Sequence, residues 1–162
     1  MAPRSQALSF SLLLNPAHLL SFGFGSGYMP IAPGTFGTLV AIPIFLLLSQ
    51  LNMDLYILSL IGMALLGIWL CGYTSRALGV HDHKGIVWDE VVGYLITMAM
   101  IPPTWLNICA GFVLFRLFDI WKPWPINLLD KHIHGGLGIM LDDVLAGLFA
   151  WCILQTGLYY FL

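Results

Sequence analysis

Between Arg116 and Asp143 the chain gathers nearly half of its acidic, basic and histidine side chains. This segment holds three cations, four carboxylates and two histidines, in a protein where only 9% of residues are Asp, Glu, Lys or Arg. Long apolar runs flank it on both sides. An ionisable group costs about 2.5–3.5 kcal/mol at the centre of a membrane helix on insertion scales, so such clustering implies a task.

Asp142 and Asp143 stand at the head of the last apolar run. Adjacent carboxylates at a helix N-terminus suit the macrodipole, and one would serve as a cap. A cap uses only one of them, and the sequence that follows offers the other no obvious solvent, so the pair also reads as metal ligands. Asp89-Glu90 open an earlier apolar run in the same way. Hard oxygen donors without a Cys or His framework suit Mg2+ better than zinc. Arg116, Asp119 and Lys122 follow one another at i, i+3 and i+6 on one helix face. They read as a local ion-pair ladder, or as a metal carboxylate beside cations that grip a phosphate.

His81, His83, His132 and His134 form two His-x-His pairs, which suit a transition metal, proton donation or phosphate contact. The Gly/Pro-rich stretch 23–37 is either a turn that caps the next helix or a loop presenting amides to an anion, with the Thr35 hydroxyl beside Gly34. Trp88, Trp121 and Trp124 have the rings expected at headgroup level.

The elements that must position these groups are apolar helices. Of the 162 residues, 59% are apolar and mean hydropathy is strongly positive, against about 45–50% apolar in soluble domains. The expected fold is all-α: a polytopic membrane bundle of four or five spans in one domain, residues 15–162, after a variable tail, residues 1–14. That tail has the basic start and short apolar core of a signal peptide, without a convincing cleavage site. Asn15-Pro16 should start a short interfacial or re-entrant helix ending at Phe22. The spans expected from hydropathy are Thr38–Leu51, Leu55–Tyr73 capped by Asp54, Val91–Ile101 ended by Pro102-Pro103, Trp105–Phe118 capped by Thr104, and Gly138–Leu162.

Five crossings would put the N-terminal loop, 74–90 and 116–138 on one side. All six Lys and Arg residues (4, 76, 84, 116, 122 and 131) fall there, and the opposite connections have none. The positive-inside rule makes that side cytoplasmic. A net charge of −2 calls for no nucleic-acid partner. Cys71, Cys109 and Cys152 fall within apolar runs and read as buried reduced thiols. The chain lacks the five-residue Cys-to-Arg loop of cysteine phosphatases, the Asp-x-Asp of haloacid dehalogenases, the Pro-Ser-Gly-His of histidine lipid phosphatases and a Walker lysine loop.

Seven motifs carry a resemblance. They are Asn-Pro-x-His-Leu-Leu (15–20), Gly-Phe-Gly-Ser-Gly (23–27), Pro-Gly-Thr-x-Gly (33–37), Val-His-Asp-His (80–83), Ile-Val-Trp-Asp-Glu (86–90), Phe-Arg-x-x-Asp-x-Trp-Lys-Pro-Trp-Pro-Ile (115–126) and His-Gly-Gly-x-Gly-Ile-Met-x-Asp-Asp (134–143). Over roughly residues 15–155 the chain resembles bacterial phosphatidylglycerophosphatase A. The resemblance implies a helical, Mg2+-dependent phosphatase of the bacterial inner membrane that converts the phospholipid phosphatidylglycerophosphate to phosphatidylglycerol.

On that reading Asp89, Glu90, Asp119, Asp142 and Asp143 hold one or two Mg2+ ions. Arg116 and Lys122, with Lys84, His81 and the amides around Gly34 and Thr35, bind the phosphate. His134 or His83 protonates the leaving oxygen, and an aspartyl-phosphate on Asp142 or Asp143 stands as the alternative to attack by water. Two other classes fit the composition: a phosphotransferase acting on a phospholipid headgroup, and a non-enzymatic transporter with carboxylates on an ion path. Oligomeric state has no signature in the sequence.

Overall fold

The computed structural model describes residues 10–80 and 82–161, except for the side chains of 130, 131 and 161. The signal-peptide reading, Arg4 and His81 therefore lie outside the described residues. Among the described residues the protein is all helical. A 3-10 turn, Phe10–Leu14, leads into α1 (Pro16–Ser21), and a 3-10 stretch, Gly23–Tyr28, leads into α2 (Pro33–Leu48). Then come α3 (Met53–Leu78), α4 (Trp88–Thr97), α5 (Trp105–Trp121), α6 (Ile126–His132) and α7 (Gly135–Phe161).

Local chemistry explains the starts. Asn15 Oδ1 accepts from the Ala17 amide at 2.9 Å with Pro16 in the first turn, as expected. Thr104 Oγ1 accepts from the Asn107 amide at 3.3 Å and caps α5. The cap of α3 is Asn52, whose Oδ1 accepts from Leu55 N at 3.0 Å, rather than the expected Asp54, which lies inside the first turn. α3 runs five residues beyond Tyr73 and stops at Gly79, whose φ of 66° is the left-handed conformation that ends helices.

α3 and the stretch Gly135–Tyr160 of α7, at 26 residues each, are long and apolar enough to cross a membrane. At 1.5 Å per residue each is about 39 Å long, against a hydrocarbon core of about 30 Å. α2 and α5, of 16 and 17 residues, are shorter.

α4 is the centre of the bundle. It packs against α2, α3, α5 and α7, and eight of its ten residues are buried. It is about 15 Å long and ends at Thr97, four residues short of the expected Ile101. Beyond Thr97 the chain turns, with Met100 at a φ of 62° and the Ala99 carbonyl taken by the Trp151 indole at 2.8 Å. Its approach to α7 depends on two glycines. A Cβ on Gly93 would lie 2.8 Å from the Asp143 carbonyl oxygen, and one on Gly147 would collide with the Gly93 carbonyl.

Trp88 is a core residue, 5% exposed, with its indole donating to the Met63 carbonyl at 3.1 Å, and so is not an interfacial anchor. Trp121 and Trp124 are exposed. All three cysteines are free thiols, but only Cys71 is buried; Cys109 and Cys152 lie on the outer surface of their helices.

Candidate active site

One end of the bundle collects the N-termini of α2 and α4, the C-terminus of α5 and the first third of α7. There a cleft of about 350 Å3 opens, lined by Gly34, Asp82, Lys84, Asp89, Glu90, Arg116, Asp119, Lys122, Asp142 and Asp143 among others. Nine of the thirteen residues expected to act lie in this lining: the acids of α4, α5 and α7 and the cations of α5 share one space with Gly34 and Lys84.

The acids of α7 are not where hydropathy put them. α7 starts at Gly135 instead of Gly138, so Asp142 and Asp143 lie two turns inside it, about 10 Å from its first residue. They cannot be caps, which removes the plainer reading of that pair. Gly136 fell in the connection expected before that run, and Gly138 at its first position. Their task is packing: a Cβ on Gly136 would collide with the Ile68 carbonyl of α3, and one on Gly138 with the Ile133 carbonyl.

The carboxylates divide into two kinds. Asp119 is paired with Arg116, whose Nη1 also lies 3.7 Å from Glu90 Oε1. Lys122 Nζ donates to Asp142 Oδ2 at 2.5 Å. Lys122 achieves this by ending α5 in the left-handed conformation, φ 44°, which turns it off the expected i, i+3, i+6 face. The ladder reading thus holds for Arg116–Asp119, while Lys122 reaches another helix. Asp89, Glu90 and Asp143 form the second kind: they offer oxygens all within 4.8 Å of one another. Asp89 Oδ1, Glu90 Oε2 and Asp143 Oδ2 are buried without a hydrogen-bond partner.

Close carboxylates out of water resist ionisation. Burial pushes the Glu90 carboxyl up to about 8, with the Asp119 charge adding to the rise; a hydrogen bond from Asp89 and the Arg116 guanidinium oppose it. Asp89 is held well above its ordinary value, by burial first and then by Glu90 and Asp143. If all were ionised, the lining would carry six carboxylates against three cations, an excess that a bound cation would offset. Orphaned hard oxygens and this excess fit a divalent cation such as Mg2+.

Gly34 gives the cleft its wall. A Cβ there would collide with Glu90 Oε1 and sit 3.0 Å from Arg116 Nη1, so a larger residue would have to displace these two side-chain ends. Thr35 is outside the lining, and its amide is spent on the Ala32 carbonyl at 2.9 Å. Lys84 lies on the rim. His83 stands next to it, half-buried, outside the lining, with Nδ1 accepting from the Gly85 amide at 3.0 Å. Burial and Lys84 lower its pKa, against Asp82. His134 is exposed at the α6–α7 junction, also outside the lining. Asp82 is a lining residue that the sequence reading passed over; its place between the histidines of the 81–83 motif was the available signal.

Fold and cleft together define a class: among the described residues, an all-helical protein with two helices of membrane-crossing length and an acidic, cation-edged cleft at one end of the bundle. Residues 19–158 match the family model described as Phosphatidylglycerophosphatase A, and the chain belongs to that family. It is 48% identical over 149 residues to phosphatidylglycerophosphatase A of Escherichia coli K12, covering 91% of this chain and 84% of that protein. The Haemophilus influenzae phosphatidylglycerophosphatase A is 47% identical over 152 residues, 93% of each chain. A Bacteroides thetaiotaomicron protein named as a candidate phosphatidylinositol-3-phosphatase is 35% identical over 147 residues, 86% of this chain and 91% of its own. No solved structure matches the chain.

Proposed function

We propose that this protein hydrolyses the terminal phosphate monoester of phosphatidylglycerophosphate, giving phosphatidylglycerol and phosphate, with Mg2+ bound, at the cytoplasmic face of the bacterial inner membrane. The observation that carries the reading is the cleft itself: orphaned carboxylates of α4 and α7 face ion-paired cations of α5 in a chain of this family.

Asp89, Glu90 and Asp143 would hold the metal, which when bound neutralises phosphate charge and supplies an activated water. The protein's own residues do the rest. Arg116 and Lys122 are already fixed by Asp119 and Asp142, so they meet the phosphate without reorganising and stabilise charge on its equatorial oxygens. Arg116 Nε is buried without an acceptor and is available to the ligand. Lys84 on the rim attracts the dianion. The proton lost by the attacking water balances the one gained by the departing glycerol oxygen. His83, whose Nδ1 accepts from Gly85 and whose Nε2 therefore carries the hydrogen, would offer that oxygen a hydrogen bond, and either His83 or His134 would donate a proton only as the imidazolium. The products are the lipid alcohol and inorganic phosphate, with water as phosphoryl acceptor.

The cytoplasmic assignment is supported by charge. Arg76, Lys84, Arg116 and Lys122 belong to the cleft end, whereas the connections 49–52 and 98–104 at the other end contain no Lys or Arg. The multi-pass reading takes α2 and α5 as shorter spans beside α3 and α7, with α4 enclosed among them.

The experiment is phosphate release from the lipid by purified Asp142→Asn and Asp119→Asn with Mg2+ present. Both should lose most of their activity; near-normal rates in both would remove the site. Transfer of phosphate to an added alcohol, in place of free phosphate, would favour a phosphotransferase.

A further inference from the structure

We propose that a groove on the outer face of α5 is the track for an acyl chain of the lipid substrate. This deepens the phosphatase reading and rests on it.

The groove, about 630 Å3, is lined by Phe112, Val113, Arg116, Leu117, Ile120 and Trp121. These residues recur at three- and four-residue intervals and form one stripe along about 13 Å of helix. The opposite face of α5 is the packed one, with Ile108, Gly111 and Phe115 buried. On the stripe, Val113, Leu117, Ile120 and Trp121 are all at least half exposed.

Continuity identifies the occupant. Arg116 and Ile120 line both this groove and the polar cleft, so the two spaces meet at those residues. The cleft lies at the C-terminal end of α5. From there the stripe runs back toward Phe112, toward the middle of the bundle. A molecule with its phosphate among Arg116 and Lys122 and a hydrocarbon tail following the stripe would satisfy both surfaces at once. Arg116 then stands at the boundary between head and tail. Two other apolar grooves among the described residues do not connect in this way. That between α1 and α3, lined by Leu20, Trp69 and Tyr73, shares no residue with the cleft, nor does the one at the far end around Tyr56 and Pro102.

The test separates tail binding from catalysis. Val113→Trp and Leu117→Trp fill the groove from outward-facing positions, and Leu65→Trp places the same bulk on the exposed face of α3 as a control. Each purified protein is assayed with dioleoyl phosphatidylglycerophosphate in mixed micelles of fixed composition and with the deacylated headgroup phosphate. Both groove variants should raise KM for the diacyl lipid roughly tenfold or more, as when a couple of methylenes lose an apolar contact. Their kcat/KM on the deacylated substrate should stay within about twofold of wild type, and Leu65→Trp should change neither. An unchanged KM for the lipid, or an equal loss on both substrates, overturns the track. A wild-type protein that releases no phosphate from either substrate overturns the phosphatase reading beneath it.

Discussion

Lys122 and Asp142 meet at 2.5 Å across twenty residues that include the whole of α6. The contact joins the end of α5 to the interior of α7 and orients both members of the pair before any ligand arrives. Lys122→Met would leave Asp142, only 8% exposed at its side chain, without this cation. A loss of roughly 1–3 kcal/mol is expected, below that of a fully buried pair because 27% of the lysine side chain stays in solvent. Turnover should fall about 100-fold, as for loss of one preorganised charge. Thermal unfolding and phosphate release on the same sample measure both.

Asp143→Asn should separate stability from function. It removes an acidic group from a site with two other acids close by, so the metal-free protein should melt at the same temperature or higher. The rise in melting temperature on adding Mg2+ should shrink or vanish, and activity should drop by at least about 100-fold. A full Mg2+ shift in this variant would exclude Asp143 as a ligand.

Glu90 makes the metal-free protein sensitive to alkali. Its carboxyl titrates at about 8 in the cleft against an ordinary 4.5, so the folded state holds the proton more tightly than the unfolded chain. The associated stability is complete below about pH 4.5 and is lost as pH rises through about 8. Asp89, also raised, acts in the same direction. Melting temperature without divalent cation should decline by a few degrees across this window, and Glu90→Gln should flatten the decline. Mg2+ should bind more tightly at pH 8 than at pH 6, because the protons that compete for its ligands are fewer.

Gly93→Ala tests the approach of α4 to α7. The new methyl would press on the Phe115 ring, about 2.5 Å away, and on the Asp143 carbonyl. Neither a packed ring nor backbone yields easily, so the expected cost is about 1–3 kcal/mol. Displacement of Asp143 should also weaken Mg2+ binding. Calorimetric titration with Mg2+ and thermal unfolding read the two effects.

Sidedness is open to labelling in a cysteine-free background. Lys84→Cys should react with an impermeant maleimide in inside-out vesicles, and Gln50→Cys in right-side-out cells. The reverse pattern would invert the orientation, and reaction of both from one side would break the topology.

Hydropathy and capping residues determined that the protein is helical, roughly where its helices lie and that its charges gather at one end, because burying apolar surface and satisfying helix ends are local demands. Asn15, Thr104 and the acids of α4 could be placed from neighbours in sequence alone. What local rules could not decide is what each glycine is for. The contacts of Gly136 with α3 and of Gly138 with the preceding turn belong to a helix that starts at Gly135, which puts Asp142 and Asp143 in its interior rather than at its end. Nor does spacing show that Lys122 leaves its own helix for Asp142, or that Asp89, Glu90 and Asp143 each keep a buried oxygen without a hydrogen-bond partner beside the Arg116–Asp119 and Lys122–Asp142 pairs. Those choices come from how α4, α5 and α7 approach one another, since charge pairing depends on distance through space, and distance through space is settled only when the helices pack.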